Sequence, residues 1–195
     1  MLLVRLLLLI SALSLFCVAV TSQGKHDETL QGRSDSEQET WYSTTANQIT
    51  KSNSAVKAET IRQDISVIRV AEPLLHERLA QEGRGDVDVR MITSAAWREF
   101  RRDHPNERLE KDKFIKFAAE EFGILEVTST PNEADIRVDA KPWADKTDAE
   151  NGVRVGTRHV TISKSGYEDA EGDSEVKKGG HTLFDADLKP KPKSK

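Results

Sequence analysis

The fold is decided by the stretch Gly123-Ile-Leu-Glu-Val-Thr-Ser-Thr-Pro-Asn-Glu-Ala-Asp-Ile-Arg-Val-Asp-Ala-Lys-Pro-Trp143. Apolar residues alternate with polar ones on both sides of its central turn: Leu125 and Val127 lie before the turn, and Ile136 and Val138 lie after it. A period of two gives each strand one apolar face and one solvated face. The stretch therefore predicts two strands of an antiparallel sheet whose apolar side is packed.

A second stretch, Gly156-Thr-Arg-His-Val-Thr-Ile-Ser-Lys-Ser-Gly-Tyr167, repeats this alternation through Val160 and Ile162. Gly166 precedes the aromatic residue that ends the stretch. Because glycine allows the chain to bend sharply, we expect the ring of Tyr167 to fold over the end of a sandwich.

Turn residues separate the expected strands. Pro131 starts the turn inside the first stretch, and Gly179-Gly180 is a two-residue hairpin signal before a closing strand. We therefore expect residues 123–190 to form a small antiparallel β-sandwich, and residues 191–195 to form a basic tail.

Residues 56–82 have the period of a helix, with apolar residues on one face. Pro73 interrupts this pattern and predicts either a kink or a break into two helices. A rival interpretation is a small βαβ unit, with strands at 65–70 and 87–91. The helix formers at the start of the segment favour the helical interpretation.

Residues 94–122 predict two helices joined by a short loop, which is a helical hairpin. Ser94 is the expected N-cap of the first helix, and Gly123 is the expected left-handed stop of the second. Because the second helix leads directly into the first strand, we expect the hairpin to pack on the sandwich. The predicted fold class is α+β, with helices over residues 56–122 followed by the sandwich.

The first residues, 1–22, have the pattern of an export signal. Arg5 is the one charge, and an apolar run from Leu6 to Val20 follows it. An uncleaved signal anchor is an alternative, since the run approaches the length of a membrane span. A bacterial lipoprotein acylated on Cys17 is disfavoured, because Phe16 stands where that processing needs a small residue. The chain is thus expected to be exported, to the cell envelope or outside, and peripheral or signal-anchored membrane association is compatible with this.

Residues 23–55 are dominated by polar residues and are expected to form a disordered spacer, because so few apolar side chains cannot offset the entropy of ordering. The pair Trp41-Tyr42 is the exception. It is either a docking pair for a partner or it packs on the domain downstream.

The chain of 195 residues has a formal net charge of −4, which becomes −5 when Arg5 leaves with the signal. A mildly acidic protein has no basic field for nucleic acid. After cleavage beyond Cys17 no cysteine remains, which excludes disulfides and thiol chemistry.

Three fragments resemble the PEGA domain in order. The stretch 123–143 is similar to its strand, Ser-x-Pro-x-Gly-Ala turn and strand ending in Val-Asp-Gly-Lys, and 156–167 is similar to Gly-x-His-x-Val-x-Val-x-Lys-x-Gly-Tyr. Val176-Lys-Lys-Gly-Gly180 and Asp187-Leu-Lys-Pro190 resemble its closing strands. This resemblance over 123–190 implies an immunoglobulin-like or transthyretin-like sandwich, a non-catalytic attachment module of prokaryotic envelope or surface proteins.

The sequence departs from the family pattern at three turns. Glu133 and Ala140 stand where glycine is usual, and Asp148 stands where proline is frequent. We therefore expect these turns to use other backbone angles, and residues 146–151 to form a longer polar loop.

The sequence contains no pattern that indicates catalysis. Its histidines lack metal-ligand spacing, and there is no Gly-x-Ser-x-Gly and no phosphate-binding glycine loop. We therefore expect no enzyme activity, no catalytic residue, no metal and no cofactor. His159, on the solvated side of its strand, is expected to make a hairpin hydrogen bond.

The candidate interaction surface is Trp143 with Lys141, in a loop after the second strand, together with Trp41 and Tyr42. An exposed indole is an efficient anchor for a partner. The predicted function is a non-catalytic exported binding or attachment protein that contacts a protein or a cell-wall polymer. The alternatives are a carbohydrate-binding accessory module and an enzyme with a polar pocket in residues 56–122.

Overall fold

The structure is a computed structural model that describes residues 35–192. The expected signal at 1–22, the spacer up to residue 34 and the tail residues 193–195 lie outside the described residues. All the described residues fall in one compact unit. None of the helices described is both long enough and apolar enough to cross a membrane.

The described chain is α+β, as predicted. Its helices come first: α1 (Asp35–Ser52), α2 (Ala58–Gln81), α3 (Val89–Asp103) and α4 (Lys111–Glu121). Its strands follow: β1 (Phe122–Thr130), β2 (Asp135–Val138), β3 (Lys141–Lys146), β4 (Ala149–Arg154), β5 (Gly156–Ser163), β6 (Ala170–Val176) and β7 (His181–Asp187).

The expected spacer is wrong for residues 35–52, which form α1. Tyr42, Ala46 and Ile49 recur at helical spacing and are buried in a core shared with the other helices. The Tyr42 hydroxyl donates a hydrogen bond to Glu72 Oε2 on α2 at 3.3 Å. A short apolar stripe is sufficient here because the surface that covers it is supplied by the helices downstream.

α2 is one helix that passes through Pro73, so the break and the βαβ unit do not form. Pro73 lies on the exposed side, while Ile68, Leu75 and Leu79 are buried on the other. A proline inside a helix costs about 3 kcal/mol. Burial of one large aliphatic side chain contributes about 1.5–3 kcal/mol, so this face outweighs the proline.

The helical hairpin forms from α3 and α4, but both of its expected end signals are wrong. Asp88 is the N-cap of α3, and its side chain accepts a hydrogen bond from the Arg90 N–H at 3.0 Å. Ser94 lies inside α3, buried, and shares a hydrogen bond with Thr45. Gly123 lies in β1, because the backbone is already extended at the residue after α4.

The strands form two sheets of a sandwich. The three-stranded sheet has the order β4-β1-β7, with β1 antiparallel to β4 and parallel to β7. The four-stranded sheet has the order β3-β2-β5-β6, and its pairs are antiparallel.

The pair Gly179-Gly180 joins β6 of one sheet to β7 of the other, so the expected hairpin turn is wrong. Its backbone binds the start of β1 instead. Gly179 N–H donates to Phe122 O at 2.6 Å, and Ile124 N–H donates to Gly180 O at 2.8 Å. The turn thus crosses between the sheets at the point where α4 becomes β1.

β1 contributes to two cores. Phe122 and Ile124 are buried among the helices, whereas Leu125 and Val127 are buried between the two sheets. The expected packing of the hairpin on the sandwich is confirmed through this strand. The solvated face that the alternation predicts is therefore exposed along only part of β1.

β4 lies against α3 at Gly152. A Cβ added there would lie 2.3 Å from the backbone oxygen of Met91, which is closer than any side-chain atom can pack. We expect Gly152→Ala to lower the free energy of unfolding by about 1–3 kcal/mol, as measured by urea denaturation. Gly172→Ala is the matched control, because its Cβ would meet the ring of Phe184, a side chain that can move. An equal loss in both variants would contradict the close approach of α3 to β4.

Glu72 is a buried carboxyl between α1 and α3. Burial raises its pKa above the ordinary 4.5, although the nearby Arg90 and the hydrogen bond from Tyr42 act in the opposite direction and Asp88 adds to the rise. Because the folded protein holds this proton more tightly than the unfolded chain does, Glu72 makes stability fall as pH rises through the raised pKa.

We expect Glu72→Gln to remove this pH dependence. The free energy of unfolding of the variant, relative to the parent protein, should rise from acid to neutral pH, as measured by urea denaturation at each pH. Glu77→Gln on the exposed side of α2 serves as control. A relative stability that stays constant or falls with pH would contradict the assignment.

Candidate functional site

The outer side of the four-stranded sheet carries a row of charged and polar residues. Val160 and Ile162 of β5 point into the sandwich core, so the residues between them point to solvent. β6 pairs with β5 and contributes exposed carboxylates. We name this surface the β5–β6 face, and its members are Thr157, His159, Thr161, Glu171, Asp173 and Glu175.

His159 lies at the centre of the β5–β6 face. Its Nδ1 lies 2.8 Å from Asp173 Oδ1 across the strand pair, and its Nε2 lies 3.8 Å from Glu171 Oε2. The predicted hairpin hydrogen bond of His159 is therefore confirmed. The hydrogen bond to Asp173 raises the pKa of the imidazole, so more of the His159 population is protonated near neutral pH than in an isolated histidine. Thr157 likewise donates to Glu175 Oε2 at 2.8 Å.

The turn beside this face contradicts the expected backbone angles. Asp139 and Ala140 have φ values of 49° and 63°, and Glu133 has 60°, so all three keep the left-handed conformation that favours glycine. The two-residue loop between β2 and β3 needs positive φ at both positions. Asp139 fixes this loop by accepting from His159 N–H at 3.1 Å and from Arg158 Nη1 at 2.9 Å.

The Asp139 carboxylate is stabilised in its charged form. Partial burial acts to raise its pKa, but the hydrogen bonds from Arg158 and from the His159 N–H lower the pKa below its ordinary value. The turn is thus held by a charged acceptor at neutral pH.

The longer polar loop expected at 146–151 is also wrong. β3 continues to Lys146 and β4 begins at Ala149, so two residues connect the sheets. Thr147 is buried at this corner, where its hydroxyl accepts from Ala134 N–H at 3.0 Å and shares a hydrogen bond with Ser129 Oγ at 2.6 Å. Thr147 therefore makes internal hydrogen bonds, while its neighbours Lys146 and Asp148 remain exposed.

Trp143 lies in strand β3 rather than in a loop, and its half-buried ring packs on the sandwich core. Lys141 begins the same strand and is exposed. On α1, Tyr42 is buried, and Trp41 is half-buried with its ring at 4.7 Å from that of Tyr42. The three aromatic candidates therefore belong to two different elements, β3 and α1, and all three pack against other parts of the described chain.

The predicted turn residues occupy turns. Pro131 follows β1, and its carbonyl accepts from Ser129 Oγ at 2.8 Å. Gly166 has a φ of 85°, and Tyr167 bridges to Pro190 while its half-buried ring packs on the sandwich core. Tyr167 thus packs on the sandwich core beside its bridge to Pro190.

A contact that sequence reasoning missed joins the helices to the sandwich. Arg84 Nη1 donates to Lys178 O at 2.6 Å and to Ala119 O at 3.3 Å, and the guanidinium also pairs with Glu82. A Cβ on Gly179 would collide with this guanidinium. The glycine at the crossover is therefore required by the close approach of Arg84 as well as by its φ of 52°.

A small cavity of about 210 Å³ lies at the loop end of the hairpin, where α3 ends and α4 begins. Its walls are mainly apolar and include Phe100, Leu109, Phe114 and Phe117, with charged side chains at the rim. The spacing of these residues in the sequence indicated burial in a helix core, and no signal distinguished a wall of a cavity from a fully packed face.

No three His, Cys, Asp or Glu side chains within residues 35–192 are grouped so that they could hold a metal ion.

Residues 122–192 match the family model of the PEGA domain. The match begins at the first residue of β1 and includes both sheets. The resemblance based on the three sequence fragments is therefore confirmed. No curated protein matches the chain.

The left-handed turn at Ala140 predicts a stabilising substitution. A Cβ in this conformation costs about 1–2 kcal/mol, and glycine removes that cost while adding about 0.5–1 kcal/mol of chain entropy. We expect Ala140→Gly to raise the free energy of unfolding by about 0.5–1 kcal/mol, measured by urea denaturation. Ala144→Gly, in the exposed part of β3, is the control and should lower it. A loss of stability in Ala140→Gly would contradict the assigned turn.

Proposed function

We propose that the chain is a non-catalytic extracytoplasmic binding or attachment protein, and that its sandwich holds a protein partner through the β5–β6 face. The match of residues 122–192 to the PEGA domain supports a module of this class. Export through the signal expected at residues 1–22 is part of the proposal.

The observation that carries the proposal is the solvated β5–β6 face itself. The outer side of the three-stranded sheet is partly occupied, because Phe122 and Ile124 are buried under the helices and Gly152 lies against α3. Within residues 35–192 no element covers the β5–β6 face, and the side chains of Glu171 and Asp173 are 72% and 67% exposed.

The charge of this face defines the chemistry of the partner. Glu171, Asp173 and Glu175 lie on one strand, and the imidazole of His159 contacts two of them. An acidic face on ordered strands is complementary to a basic protein surface, and such a contact weakens as salt increases. Acidic residues on an edge strand also oppose edge-to-edge aggregation, so the experiment must separate binding from solubility.

Two other functions have less support. A carbohydrate-binding module would need an indole that is free to stack on a sugar, but the ring of Trp143 packs on the sandwich core. An enzyme with a site in 56–122 would need a concave polar pocket with a free reactive group. The walls of the hairpin cavity are mainly apolar. A second depression, next to Gln63 and Ser66, is partly polar, but its buried acid Asp64 is paired with Arg101.

The proposal is tested by removing the charges of β6 without removing the domain. Deletion of the chain from residue 123 onward would also remove Ile124, which is buried in the helical core. Such a deletion could not separate a loss of binding from a loss of folding. The parent chain is crosslinked mildly in cells, and the proteins attached to it and its retention in the envelope fraction are measured. The variant Glu171→Gln/Asp173→Asn/Glu175→Gln should lose both the crosslinked partner and the retention, while its unfolding transition remains cooperative.

The matched control, Glu77→Gln/Asp86→Asn/Asp112→Asn, removes the same number of exposed charges from the helical part. It should keep both the partner and the retention. If the β6 variant keeps its partner with unchanged salt dependence, the assignment of the β5–β6 face is wrong.

A further inference from the structure

The cavity at the loop end of the helical hairpin, which we name the hairpin pocket, has the size of one apolar group. Its apolar walls are Phe100, Leu109, Phe114 and Phe117, and its volume is about 210 Å³. A cavity of about 150 Å³ with apolar walls accepts benzene. Pockets for drug-sized molecules begin at about 300 Å³. The hairpin pocket therefore fits a single aromatic or branched aliphatic side chain.

The rim of the hairpin pocket is charged, and nearly all of its charges are paired. The pairs join His104 Nδ1 to Glu107 Oε2 at 2.9 Å, Lys113 Nζ to Glu110 Oε1 at 3.1 Å, Asp103 Oδ1 to Arg102 Nε at 2.9 Å, and Arg154 to Glu99 and Glu121. Arg108 is exposed and is the one charged side chain of the lining for which residues 35–192 provide no acceptor. An occupant that complements this rim carries one negative charge.

The loop that carries Arg108 is fixed before any ligand binds. Arg101 is fully buried, and its Nη1 donates to the backbone oxygens of His104 and Glu107 at 2.7 and 2.8 Å. Its other two guanidinium nitrogens bind the carboxylate of Asp64. Because these bonds hold the loop through its carbonyls, the pocket is preorganised and binding costs little ordering entropy.

We propose that the hairpin pocket binds the C-terminal residue of a partner polypeptide. An aromatic or branched aliphatic side chain fills the pocket, and the terminal carboxylate pairs with Arg108. A C-terminal residue supplies both features, because its side chain and its terminal carboxylate are bonded to the same Cα atom. The ion pairs His104–Glu107 and Lys113–Glu110 provide donors and acceptors for the amides that precede this residue.

Other occupants leave part of the site unused. An aromatic residue inside a polypeptide would fill the apolar walls but would leave Arg108 without an acceptor. A free aromatic acid would fill the apolar walls and pair with Arg108, but it has no amides to contact the ion pairs of the rim. This site is separate from the β5–β6 face, and it does not rest on the function proposed above.

Fluorescence anisotropy of a labelled Gly/Ser peptide that ends in Phe, titrated with the full chain, tests the proposal. We expect saturable binding that is weakened about tenfold or more when the terminal carboxylate is amidated, as expected for loss of a charged hydrogen bond. Replacement of the last residue by Ala should weaken binding to a similar degree. These two comparisons leave the protein unchanged, so they do not depend on the folding of a variant.

Arg108→Gln should weaken the free-carboxylate peptide about tenfold and leave the amidated peptide unchanged. Lys116→Gln removes an equally exposed charge from α4 outside the pocket and is the matched control, for which binding should not change. Equal binding of the free and amidated peptides would overturn the proposal, because it indicates an internal side chain as occupant. Competition by 3-phenylpropionate at the affinity of the peptide would also overturn it, in favour of a free acid. Absence of binding to the Phe peptide would overturn it as well.

Discussion

The rest of the structure depends on the division of β1 between two cores. Phe122 and Ile124 point to the helices, while Leu125 and Val127 point to the opposite sheet. A shift of one residue in register would exchange the faces and place Glu126 in an apolar core. This constraint makes the helices and the sandwich one folding unit, and it brings Arg84 within reach of the β6–β7 crossover.

A buried ion pair between Asp64 on α2 and Arg101 on α3 organises the helical part. Asp64 and Arg101 are 1% and 0% exposed, and Trp97 Nε1 donates to the same carboxylate at 2.7 Å. Burial of two charges is tolerated when their remaining hydrogen bonds are satisfied, and all three guanidinium nitrogens of Arg101 donate here. The pair therefore fixes the α3–α4 loop through its carbonyls, and the side chains of that loop are left to interact with solvent or a ligand.

Much of the sandwich could be predicted from the sequence, because the alternation around Leu125 and Val160 depends only on a period of two. The assignment of β6 and β7 to different sheets could not, since Gly179-Gly180 has the same local signature in a hairpin and in a crossover. The left-handed angle of Ala140 belongs to a two-residue turn that Asp139 fixes through hydrogen bonds to Arg158 and His159, which are distant in sequence. That Arg108 has no acceptor in the described part of the chain is equally invisible in sequence, because it follows from which neighbouring side chains are already paired.

The parallel pairing of β1 with β7 joins the first strand of the sandwich to the last. This pair of strands forms only after β7 has been synthesised. The chain between the two strands must then be ordered before the contacts between them form. Until then, β1 has an unpaired edge, and the helical core lacks the anchor that Gly179 gives to Phe122. Synthesis from the N-terminus therefore cannot complete the structure strand by strand. A chain that is cut short before β7 leaves the edge of β1 unpaired, and an unpaired strand edge promotes aggregation.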